Sequence, residues 1–207
     1  MANYTQSDHT FIAHAHYVNT TNYVVVGASD DVRTYLSGTI YIDHAPIEDA
    51  TANAPGVEYR IQVNHDDAGG NEYWRTIITL TAGTAASTME TLDGAGAASG
   101  QKDVPVAGTG DLTRGDWVYI LDADGAAGRE WAQVADIDAG VSCTMVDNLT
   151  NAFVATDDDV MIEGVARWVA NVDLAGIAHL RVICFNSAAA GYNWATAAYA
   201  KYAVSIG

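Results

Sequence analysis

Residues 114–134 read RGDWVYILDADGAAGREWAQV. Gly115 and Asp116 turn the chain into an apolar run, Trp117 to Leu121. ADGAAG then forms a connection, and Glu130 to Ile137 returns. Turn-forming Gly and Asp between two strand-type runs specify a β-hairpin. The Arg-Gly-Asp tripeptide is then a turn ahead of a strand. Trp117 follows it at once and is expected in the core, which does not suit an exposed adhesion loop. The DADG stretch starts like a calcium loop, with Asp122 and Asp124 one residue apart. Calcium, however, takes about six to eight oxygen ligands, and Gly125-Ala-Ala-Gly128 stands where further acids would be needed. Asp157, Asp158 and Asp159 make a second acidic tip. These five are the candidate calcium ligands, read in the first place as solvated turns.

Working outward, short runs rich in Val, Ile, Tyr and Thr recur between Gly, Asn and Asp clusters. They are NYVVVGA (22–28), TYLSGTIYIDHA (34–45), VEYRIQVNH (57–65), YWRTIITLTA (73–82), DWVYILD (116–122), EWAQVADID (130–138), VSCTMVD (141–147), DVMIEGVARWVANV (159–172), IAHLRVICFN (177–186) and YAKYAVSIG (199–207). In VEYRIQVNH the apolar residues Val57, Tyr59, Ile61 and Val63 alternate with Glu58, Arg60, Gln62 and Asn64, the half-buried antiparallel pattern. Strands at this spacing predict an all-β chain: an antiparallel β-sandwich, jelly-roll or Ig-like, carrying an inserted small β-barrel-like module. The break falls at TAGTAASTMETLDGAGAASGQKD (81–103), where ASTMETLDGA (86–95) could form a short helix. The division is then residues 1–83 and 164–207 as an outer sandwich with an N-terminal arm, and 84–163 as the insert. A single sandwich with a long excursion has the same periodicity.

Composition excludes several classes. Formal net charge is −17, only two lysines occur, and the arginines are scattered, so no basic stripe exists to neutralise phosphates. Nucleic acid and anionic membranes are disfavoured as partners. No run of about 18 apolar residues and no basic-then-apolar leader occurs, which implies cytoplasmic synthesis without a membrane span. Cys143 and Cys184 sit in strand-like runs and read as buried free thiols. His14 and His16 would share one strand face and could begin a metal site, but no third ligand has suitable spacing, so they read as surface or interface residues. No nucleophile elbow or spaced Ser, His and Asp set occurs. The chain therefore reads as non-enzymatic, with no catalytic residues and no cofactor. Among five tryptophans, Trp74, Trp117, Trp131 and Trp168 lie in strand patterns. Trp194, with Tyr192 beside it, lies in the loop-like SAAAGYNWATAAY and is the better candidate for an exposed aromatic.

The succession KDVPVAGTGDLTRGDWVYILDADG (102–125), GREWAQVADID (128–138) and VSCTMVDNLTNAFVATDDDVM (141–161) is similar to a small β module of tailed-phage virion proteins. The flanks SGTIYIDHAPIEDATANAPGVEYRIQV (37–63) and HLRVICFNSAAAGYNWATAAYAKYAVSIG (179–207) resemble the outer sandwich of capsid decoration proteins. The resemblance implies a virion structural protein of the decoration or cement type on the outer capsid surface. Its partners would be the major capsid protein or other virion subunits and copies of itself, with a trimer favoured. The N-terminal arm would dock and the insert would project. The alternative is a glycan- or receptor-binding β module, such as a tail-associated adhesin, with Tyr192, Trp194 and the acidic tips at the ligand.

Overall fold

The computed structural model describes residues 3–18, 22–46, 56–65, 73–82, 89–94, 96–109, 112–122, 128–154, 160–162, 165–186 and 193–206. Among them are fifteen strands: β1 (Asn3–Val18), β2 (Val24–Val25), β3 (Asp30–Asp31), β4 (Ser37–Pro46), β5 (Val57–Asn64), β6 (Arg75–Thr81), β7 (Met89–Thr91), β8 (Asp103–Pro105), β9 (Trp117–Leu121), β10 (Arg129–Asp138), β11 (Ser142–Met145), β12 (Val160–Ile162), β13 (Ala166–Asp173), β14 (His179–Asn186) and β15 (Asn193–Ile206). No helix occurs among the described residues. The protein is all-β, with antiparallel pairing of β1–β15, β4–β13, β14 with β2, β3 and β5, β5–β6, β7–β12, β9–β12, β9–β10, β10–β11 and β8–β11.

The chain divides into two compact units, residues 1–44, 48–84 and 166–207 in the first and 45–47 and 85–165 in the second. The first unit is a sandwich. One sheet has the order β1-β15-β4-β13, the other β2-β14-β5-β6, with β3 also paired to β14. Period-two alternation assigns the inner faces. Ile40 and Ile42 of β4, Trp168 and Val172 of β13, and Trp194 and Tyr202 of β15 share one core with Tyr59 and Ile61 of β5 and Val182 of β14. Gly27 marks a close approach: at φ +77°, a Cβ there would lie 2.1 Å from the carbonyl oxygen of Phe11, so only glycine fits.

The second unit has sheet order β7-β12-β9-β10-β11-β8. Its terminal strands meet, because Leu92 bridges Val106, the Asp93 amide donates to the Pro105 carbonyl at 3.0 Å, and the Ala107 amide donates to the Thr91 carbonyl at 3.0 Å. Joining the ends curls the sheet into a small barrel and removes its free edges. Val118, Ile120, Val134, Met145, Phe153 and Met161 fill the interior.

Four local expectations are corrected. Residues 3–18 are no free arm, since β1 pairs with β15 from Asn3↔Ile206 to Val18↔Asn193 and Phe11 is buried. ASTMETLDGA supplies strand β7 rather than a helix, its Met89–Thr91 portion pairing with β12. The run 159–172 is two strands, β12 in the second unit and β13 in the first. Trp117 is half-buried instead of lying in the core. Both cysteines are free and buried, and burial pushes the Cys184 thiol up to about 12.

Truncating Phe11 or Trp194 to Ala should each lower stability by about 3–5 kcal/mol, the usual cost of removing a buried large aromatic. Urea denaturation followed by fluorescence checks this. A chain lacking residues 1–18 should lose the cooperative unfolding of the first unit, whereas a dispensable arm would leave it unchanged.

Candidate functional site

The 114–134 hairpin forms as its sequence dictates. Strands β9 and β10 pair from Arg129↔Leu121 to Gln133↔Trp117. In the turn ahead of them, Gly115 adopts φ +93°, a conformation that suits glycine. The Asp116 carboxylate accepts from both the amide and the hydroxyl of Thr113 at 2.8 Å. The Arg114 guanidinium is paired with Asp136. The tripeptide's two charges are thus held by neighbours, Asp116 by Thr113 in the turn and Arg114 by Asp136 of β10. The Glu130 carboxylate is equally structural, accepting from the amides of Thr150 at 2.9 Å and Asn151 at 3.0 Å.

Of the calcium candidates, Asp122 is half-buried directly after β9. Asp124, Asp157, Asp158 and Asp159 lie outside the described residues. Among the described residues no group of three or more His, Cys, Asp or Glu could hold a metal. His14 and His16 both fall in β1, His16 opposite Ala195. Tyr192 lies outside the described residues. Trp194 overturns its expectation: it has 0% exposure and sits in the core of the first unit, so it offers no surface to a ligand. The other four tryptophans are all partly exposed.

The outward face of β4, β13 and β15 carries a buried ion pair that the sequence reading missed. Asp43 and Arg167 are opposite one another across the strands, with Nε to Oδ1 at 2.5 Å and Nη2 to Oδ2 at 3.1 Å. Arg167 also donates to the Tyr199 hydroxyl at 2.6 Å, and Tyr199 stacks on Tyr41 at 5.0 Å. Burial raises the Asp43 carboxyl above the usual range even though Arg167 pulls it down. On the inner face, His44 and the Tyr59 hydroxyl are hydrogen-bonded at 2.8 Å, and burial pushes the His44 imidazole down to about 3. Each charge or ring here is occupied by a neighbour within the same sheets or core. The cluster stiffens a sandwich and assembles no nucleophile.

The outward face of the five-stranded sheet is polar and aromatic. Arg181, Gln62 and Thr76 form a row across β14, β5 and β6, Arg181 donating to the Gln62 side-chain Oε1 at 2.9 Å and Gln62 Nε2 donating to the Thr76 hydroxyl at 3.1 Å. The Arg181 guanidinium stacks on Trp74 at 4.0 Å. Nearby, Arg60 lies 4.5 Å over the ring of Tyr23, which itself stacks on Phe185 at 4.7 Å. At the end of β5 and the start of β6, Asn64, His65, Tyr73 and Arg75 line an open pocket of about 520 Å³. The alternation visible in VEYRIQV assigned Arg60 and Gln62 to a wet face; nothing in the sequence placed Tyr23 or Trp74 on it.

No family model matches the chain, and no curated protein matches it. Among solved structures, one similar chain is the Gp54 tailspike of Acinetobacter baumannii bacteriophage AP22, described in complex with A. baumannii capsular saccharide; the alignment covers 39% of this chain and 15% of that one at 16% identity, with a TM-score of 0.32. Another is VP2 of infectious bursal disease virus in a subviral particle, where 97% of this chain and 41% of that one align at 11% identity with a TM-score of 0.24. The chain spans well under half the length of either.

Two outcomes follow from the geometry. Asp116→Glu should cost about 0.5–1.5 kcal/mol by disturbing the Thr113 bonds and leave cell attachment unchanged; loss of attachment with this one change would revive the adhesion reading. His44 supplies a pH dependence. Its folded pKa lies below the ordinary 6.5, so between pH 6.5 and about 3 the unfolded chain binds the extra proton. Stability should therefore be full above that window and fall through it on acidification, by at most ~1.4 kcal/mol per pH unit. Asp43, with a raised carboxyl, works in the opposite sense. Thermal melts from pH 7 to 4 should show a steeper decline for the wild type than for His44→Gln.

Proposed function

We propose that the chain is a non-enzymatic virion structural protein that decorates and stabilises the outside of a tailed-phage capsid, through contacts with the shell and with copies of itself. The observation that carries this reading is the edge strand β6. Its sequence is RTIITLT, it ends the five-stranded sheet, and no residue in it is fully buried, with Ile77 43% exposed. Natural proteins guard such edges with Lys, Pro or short strands. β6 has seven residues, no Lys, no Pro and one charge at its start. An unguarded β-branched edge favours strand addition, the contact that repeating subunits use to pair with a shell or with one another. β13 ends the other sheet and adds Val169, 63% exposed.

Charge supports the outward placement. At −17, a surface turned toward packaged DNA would meet like-charge repulsion, whereas a surface turned to solvent gains solubility. The partners are then the major capsid protein or another virion subunit together with two further copies of this chain. Docking belongs to the first unit, and the insert is dispensable for it.

Light scattering and co-sedimentation with undecorated capsids test the proposal. Wild type should form a trimer and sediment with the shell, and so should a version with residues 84–163 replaced by a Gly/Ser linker. Ile77→Lys should keep the wild-type melting temperature and lose both associations. A strictly monomeric wild type that ignores capsids would overturn the reading.

A further inference from the structure

We propose that the pocket formed by Asn64, His65, Tyr73 and Arg75 is a saccharide-binding site that selects pyranosides carrying a carboxylate. Its volume, about 520 Å³, is sufficient for sugar rings, and all four residues belong to the first unit. The argument begins with Arg75. Elsewhere in this unit Arg33, Arg60 and Arg167 are paired with Asp31, Glu58 and Asp43, and Arg181 is held by Gln62 and Trp74. Arg75 has no such partner among the described residues and is exposed. A guanidinium fork with no partner among the described residues, at a pocket in a chain of charge −17, matches a planar oxyanion, which it binds through two parallel N–H donors.

Tyr73 supplies the second element. At 76% exposure it is the most exposed large hydrophobic residue among those described, and it lines the same pocket. A flat ring open to water offers a stacking surface to the apolar face of a pyranose. The backbone that presents these two side chains is anchored: Trp74, between them, is fixed by its stack on Arg181, and Thr76 by its bond from Gln62. Strand alternation sends residues 73 and 75 the opposite way from 74 and 76. His65 is oriented as well. Its Nδ1 lies 3.0 Å from the Gly176 carbonyl, so Nδ1 donates, which fixes the ring and leaves Nε2 to meet a sugar hydroxyl. Stacking ring, carboxylate fork and oriented imidazole therefore line one pocket. No bond is made or broken there, so this is recognition without turnover.

Calorimetric titration of the purified full chain tests the site independently of any capsid. The probes are a tetragalacturonate, a neutral galactose tetramer and inorganic phosphate. The tetragalacturonate should bind, the neutral tetramer at least tenfold more weakly, and phosphate should not displace the acidic sugar. Tyr73→Ala and Arg75→Gln should each weaken tetragalacturonate binding at least tenfold while keeping the wild-type melting temperature. Trp74→Phe, which retains a stacking ring beside Arg181, should bind nearly as wild type. Equal binding of the neutral tetramer would overturn the carboxylate selectivity, and full displacement by phosphate would overturn the sugar. Wild-type affinity in Tyr73→Ala and Arg75→Gln, or no binding by the wild type, would overturn the site.

Discussion

The first unit depends on one pairing, that of β1 with β15. β15 lies between β1 and β4, so it receives hydrogen bonds on both edges and becomes a central strand of the four-stranded sheet. Its inward residues Trp194, Ala198, Ala200 and Tyr202 build the core, and the small alanines leave room for Ile40, Tyr59 and Phe11 to approach. Asp30 reinforces the closure, because the Tyr202 hydroxyl donates to it at 2.6 Å and the His9 imidazole lies 2.9 Å from it. Segments near both ends of the sequence thus meet at one carboxylate. Without β15, β1 would have no partner strand and β4 would be exposed on one edge.

This explains what the sequence disclosed and what it hid. VEYRIQV and HLRVICF were legible because their apolar residues are bulky, β-branched or aromatic and alternate strictly, and they pair in register from His179↔Asn64 to Asn186↔Val57. The hairpin 114–134 was legible from its turn residues. WATAA (194–198) reads as loop because Ala carries little strand preference and adjacent apolar residues on opposite faces erase the alternation. Burial there is set by tertiary partners on both faces. The N-terminal strand was hidden for a related reason: polar residues such as Gln6 and Asp8 face outward, and the register shifts around Ile12 interrupt its period. The surface was the least legible. Which face an isolated Tyr23, Tyr73 or Trp74 occupies depends on strands distant in sequence.

Electrostatics ties these features to function. Despite the large acidic excess, most of the described basic side chains in the first unit are matched: Arg33, Arg60 and Arg167 by carboxylates, Lys201 by Asp8 at 3.7 Å, and Arg181 by an aromatic ring and an amide. The exposed pairs contribute little to stability, because solvent and salt screen them. Arg167 with Asp43 is different, because removing Arg167 strands a buried carboxylate, at a cost of about 3–5 kcal/mol. Arg75, at the first residue of the edge strand β6, has no such partner among the described residues.

The most direct test of the account is hydrogen–deuterium exchange, compared between the free protein and the protein sedimented with undecorated capsids. The amides of residues 196–202 should exchange slowly in both states, as a central strand requires. Those of residues 76–80 should exchange faster in the free protein and become protected on the shell. Rapid exchange through residues 196–202, or identical exchange of residues 76–80 in the two states, would contradict a sandwich closed by its own ends that assembles through an open edge.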